Sequence, residues 1–76
     1  MDKSAWAEHL LRDEWFQEMM QELRSAEINK FATSNYSDTQ IREEAYRQLM
    51  ALDAIENYLE GLSSQKLIDE KRLKIL

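Results

Sequence analysis

Cysteine and proline are absent from the 76 residues, and glycine occurs once, at Gly61. Without cysteine there is no disulfide and no thiolate metal site, and nothing points to an oxidising compartment. Without proline, and with glycine only at Gly61, the strongest helix breakers are nearly missing. Histidine also occurs once, at His9, so a histidine-based metal site within one chain is excluded, and neither Glu-x-x-His nor His-Glu-x-x-His is spelled anywhere. No run approaches the ~18 consecutive apolar residues of a membrane span. Met1 to Leu11 carries Asp2 and Glu8 where a signal peptide would be apolar. A cytoplasmic setting is therefore expected, with no membrane and no cofactor.

Basic charge is also scarce. Ten Lys and Arg against fifteen Asp and Glu leave a formal charge of −5, which argues against direct nucleic-acid binding or an anionic membrane, both of which need clustered cations. The one basic stretch, Lys66, Lys71, Arg72 and Lys74 around Asp69 and Glu70, is most simply a helix C-terminus answering its dipole.

What the chain does hold is Ala, Leu, Met, Glu, Gln, Lys and Arg, residues that cost little in a helix. An apolar fraction of 43% with two Trp, three Tyr and two Phe is too high for a disordered chain. The expectation is a single all-α domain over residues 1–76. A chain this short buries only roughly 60% of its unfolded surface. Disulfides and metals cannot make up the shortfall, so oligomerisation or a partner protein must.

Along the chain, Ser4 is positioned to cap a short N-terminal helix whose apolar side is Trp6, Leu10 and their neighbours Ala7 and Leu11. Trp6 and Leu10 fall out of phase with the apolar band of the next helix, predicting a break near Arg12 and Asp13, with Asp13 as a second cap. That band, Trp15, Phe16, Met19, Met20, Leu23, Ala26 and Phe31, is as broad as a helix uses when it packs on more than one neighbour, while Glu18, Glu22 and Arg24 lie largely off it. Ile28 points away from the band.

Ala32 to Asp38 is the one concentration of turn-forming polar residues, and Ser37 or Asp38 can cap the helix beyond it. So short a connection makes its flanking helices antiparallel neighbours. The predicted fold is an antiparallel helical hairpin, with helices over roughly 13–32 and 38–60 or longer, preceded by the short N-terminal helix and assembling into a helical bundle. The second arm carries Ile41, Ala45, Leu49, Leu52, Ile55, Leu59 and Leu62 at steps of three or four, the expected core face. Tyr46, Met50, Ala51, Ala54 and Tyr58 form a lesser edge. Gly61 either ends this helix as a left-handed cap or lies inside a longer one; with no turn cluster to enforce a stop, continuation is favoured.

No pattern of catalysis emerges. Ser34, Ser37, Ser63 and Ser64 stand in no Gly-x-Ser-x-Gly elbow, and a lone glycine cannot build a phosphate-cradling loop. Glu18 with Glu22 and Glu56 with Glu60 have i, i+4 spacing, which on an acidic helix reads as solvated surface. The informative residues are those two arms do not use on each other. Trp6, Leu10, Trp15, Ile28, Tyr46, Met50 and Tyr58 are the candidate protein interface, since Trp, Tyr and Met favour such surfaces.

The string Leu10-Leu11-Arg12-Asp13-Glu14-Trp15-Phe16, followed by Leu23, the polar turn and the Leu49, Leu52, Leu59 register, resembles short all-helical proteins encoded among the head and DNA-packaging genes of tailed bacteriophages. The resemblance spans about Leu10 to Leu62 and implies a role in virion assembly or as a minor structural component, in the host cytoplasm or the virion. It implies no catalytic residue. The expected function is that of a non-enzymatic helical interaction protein whose partner is a second copy, a phage structural protein or a host protein. The alternative is a small acidic inhibitor that occupies a basic groove of a nucleic-acid-handling enzyme, with Glu14, Glu18, Glu22, Glu43 and Glu44 imitating phosphates.

Overall fold

The computed structural model describes residues 2–75, with side chains over residues 2–65. The expectations about Leu67, Ile68, Leu73, Ile75, Leu76 and the basic stretch from Lys66 concern side chains outside the described residues. Three helices make up the described chain: α1 over Lys3–Arg12, α2 over Glu14–Thr33 and α3 over Thr39–Ile75. The fold is the expected all-α hairpin, α2 against α3, with the short helix α1 in front.

The starts of α1 and α2 are set by aspartate side chains. Asp2 caps α1, its carboxylate accepting from the Ala5 N–H at 2.8 Å. Ser4, expected in that role, lies inside the first turn and donates its hydroxyl to the same Asp2 oxygen. Asp13 caps α2 by accepting from the Phe16 N–H at 2.8 Å, and it is also the residue at which α1 ends. The two helices are thus separated by a single extended residue, and Gln17 reaches back across the joint to donate to the Leu11 carbonyl at 2.8 Å. Asp38 opens α3 with its carbonyl, which accepts from the Arg42 N–H. Its carboxylate turns the other way and accepts from the Asn35 N–H at 2.9 Å, closing the turn. Arg42 then donates to the turn carbonyls of Asn35 and Tyr36, the first of which also accepts from the Asp38 N–H.

Gly61 lies within α3 and does not have a positive φ, so the helix continues through it. Both α1 and α2 pack on α3 and hardly on each other. The molecule measures 59 × 24 × 14 Å with a radius of gyration of 17.1 Å. A compact domain of this length would have a radius near 11 Å, so the chain is a thin slab.

The seam between α2 and α3 is narrower than the sequence stripe suggests. Ala45, Leu52 and Leu59, each seven residues from the next, are buried, and Leu49 beside them is half-buried. That 3.5-residue spacing is the seam of an antiparallel pair. Ile41 and Ile55, expected in the core face, are 46% and 48% exposed. Steps of three and four drift around the helix, and at these two positions the drift carries the stripe onto its flank. Across the seam, α2 contributes buried Met20 with half-buried Phe16, Arg24 and Glu27.

Candidate interaction surface

Arg24 is the polar centre of the seam. Its guanidinium donates to Asp53 at 2.6 Å and to Glu56 at 2.8 Å, one side chain of α2 bridging two of α3. These hydrogen bonds, Glu56 first and Asp53 second, raise the already high pKa of Arg24. A forked donor held between two carboxylates fixes the register of one helix on the other. Periodicity alone puts Arg24 off the packing band and Asp53 away from the stripe; the structure brings both to the seam, because Arg24 follows Met20 by four residues as Glu56 follows Leu52. Pairs along single helices, Glu8 with Arg12 and Glu43 with Arg47, are exposed at one or both ends and contribute little.

With the register fixed, the residues outside the seam fall on two flanks. At 100° per residue, Met19, Leu23 and Ala26 of α2 lie on the same side of the slab as Ile41, Ala51, Ile55 and Tyr58 of α3, with Trp15 at the outer edge. All of these are exposed, Leu23 at 45% and Trp15 at 79%. The opposite flank carries Ile28, Phe31, Tyr46 and Met50, also exposed. There Phe31 and Tyr46 line a shallow groove with Thr39, Arg42, Glu43 and Arg47.

The seven candidate interface residues are therefore split. Ile28, Tyr46 and Met50 share one flank, Trp15 and Tyr58 the other. Trp6 is half-exposed and Leu10 half-buried on α1, whose one buried residue is Ala7. Periodicity assigns Met19, Leu23, Ile41 and Ile55 to the core, and the structure adds them to the exposed set. The breadth of the α2 band is the available signal: it asks for more than one neighbour, and within the chain α2 packs mainly on α3.

The acidic residues are also divided. Glu14, Glu18 and Glu22 follow one another by four residues along the back of α2, whereas Glu43 lies on the back of α3 and Glu44 on the flank beside Lys30, both across the slab. Among the described residues, no group of three or more His, Asp or Glu stands close enough together to hold a metal ion. Among the same residues, no helix is long and apolar enough to cross a membrane.

Comparison with protein-family models, with curated proteins and with solved structures gave no match.

Proposed function

We propose that this chain is a non-enzymatic helical interaction protein, working by self-association or by docking a protein partner through its apolar flanks, as a phage assembly factor or minor virion component would. One observation carries the reading. Among the described residues five apolar side chains are buried, two of them alanines, while twelve large ones are exposed. The accessible surface of 6403 Å² for 9.1 kDa expresses the same imbalance, since a compact monomer of that mass exposes about 4,900 Å². A chain that leaves so much apolar surface in water gains stability when something covers it.

Sedimentation at micromolar concentration, with thermal unfolding followed by circular dichroism, tests this. Association, or a folded state that sharpens when a partner is added, is the expected result. A monomer that melts cooperatively at high temperature would overturn it. The phosphate-mimic alternative is supported by the ridge of Glu14, Glu18 and Glu22 alone, because Glu43 and Glu44 lie elsewhere. Binding to a basic partner that weakens steeply with salt, and is lost when that ridge is reversed to lysine, would favour it.

A further inference from the structure

The flank bearing Met19, Leu23, Ala26, Ala51, Ile55 and Tyr58 fits one occupant best. We propose that it is covered by a second copy of this chain, so that two hairpins stack face to face as a four-helix bundle with Leu23 and Ile55 at the middle of the contact. This rests on the association reading above and names its partner.

The area is the first argument. Each chain exposes about 1,500 Å² more than a compact monomer of 9.1 kDa would. Obligate homodimers remove about 1,000–2,500 Å² from each subunit, and the whole-chain surplus, which both flanks share, is of that order.

Composition is the second. By register, the middle of this flank, from Phe16 to Ala26 on α2 and from Gln48 to Leu62 on α3, presents no charged side chain. The charges of this flank stand beyond that stretch, Lys30 with Glu44 near the turn. A two-fold axis across the slab at the level of Leu23 and Ile55 lays this uncharged stretch of one copy on the same stretch of its mate, with Lys30 and Glu44 outside it. It also repeats a self-complementary relief, because bulky Met19, Leu23 and Ile55 adjoin small Ala26 and Ala51, and knobs of one copy find recesses on the other. The opposite flank lacks this character: Asp53, bridged by Arg24, stands on the same side of α3 as Tyr46 and Met50.

The absence of cysteine provides a test that leaves the apolar surface in place. Ala51→Cys is expected to give a covalent dimer with a short bis-maleimide, and Ser25→Cys on the back of α2 is not. In sedimentation equilibrium, Leu23→Glu and Ile55→Glu should each weaken the dimer at least about a hundredfold, and Met50→Glu less than about threefold. Should the glutamate variants fail to fold, the cross-linking pair still decides. A dimer that cross-links through Ser25→Cys and not Ala51→Cys, or one dissociated by Met50→Glu alone, overturns the assignment. A chain that stays monomeric and loosely packed until another protein is added overturns self-pairing and leaves the association reading standing. A monomer that is cooperatively folded by itself overturns both.

Discussion

Leu59 and Ile55 are four residues apart on α3, and their exposures are 2% and 48%, which makes their alanine variants a gauge of what covers the flank. Leu59→Ala opens a hole in the seam. The cost belongs near the lower end of the usual ~2–5 kcal/mol, about 2–3 kcal/mol, because a two-helix seam collapses more readily than a deep core. Ile55→Ala in an uncovered hairpin removes a side chain that water already half surrounds. Full burial of an isoleucine stabilises by roughly 1.5–3 kcal/mol, so the loss there is about 1 kcal/mol. Under a second copy the same site becomes interior, and its loss rises to about 2–3 kcal/mol per chain. Urea unfolding by circular dichroism at two protein concentrations about a hundredfold apart separates the cases. If folding and pairing are coupled, the wild type gains about 2.7 kcal/mol of apparent stability per dimer across that span, half of it per chain. Ile55→Ala should fall progressively further behind it as concentration rises, whereas Leu59→Ala should lag by a large amount throughout. A wild type with no concentration dependence, together with an Ile55→Ala cost near 1 kcal/mol at both ends, refutes the covered flank. Equal costs for the two variants in dilute solution refute the exposures themselves.

Gly61→Ala should stabilise the chain, because Gly61 is helical without a positive φ and an added Cβ meets nothing within 4 Å. The gain is about 0.5–1 kcal/mol, read as a rise in Tm of a few degrees, about 4–8 °C for each kcal/mol in a domain of this size. Asp13→Ala removes the cap of α2 and should cost about 1 kcal/mol in urea unfolding, with faster amide exchange at Phe16, whose N–H the carboxylate accepts. Arg24→Met should lower the unfolding midpoint and flatten its dependence on added salt, since the charges that salt screens are then unpaired; Arg24→Lys should recover only part, as an ammonium lacks the planar fork that spans Asp53 and Glu56.

Much of the fold is legible in local chemistry. Asp13 and the run from Ala32 to Asp38 announce the joint and the reversal because caps and turns are made by residues close in sequence. The seam is less legible. A step of three or four keeps a residue only approximately on one side of a helix, and the difference between a 3.6 and a 3.5 repeat decides whether Ile41 and Ile55 face the partner helix or the flank. The spacing of Ala45, Leu52 and Leu59 holds the answer, although an alanine at the first of the three draws little notice beside two isoleucines. Arg24 is hidden for a different reason: its partners are 29 and 32 residues away, and a lone arginine on an acidic helix looks solvated until the register is known. The surface set is legible in part, since Trp15, Ile28, Tyr46, Met50 and Tyr58 are all exposed. Their division between two flanks requires the register too.

The packing of α1 and α2 on α3, and hardly on each other, has a consequence for how the molecule comes apart. Detaching α1 takes from α2 little more than the joint at Asp13, and both depend on the same long helix. Unfolding need not be all-or-none: α1 can open as a unit of its own, exposing Ala7 while Met20 and Leu52 stay covered. The N-terminal helix is then a latch on a common spine, released or held by whatever else lies against it.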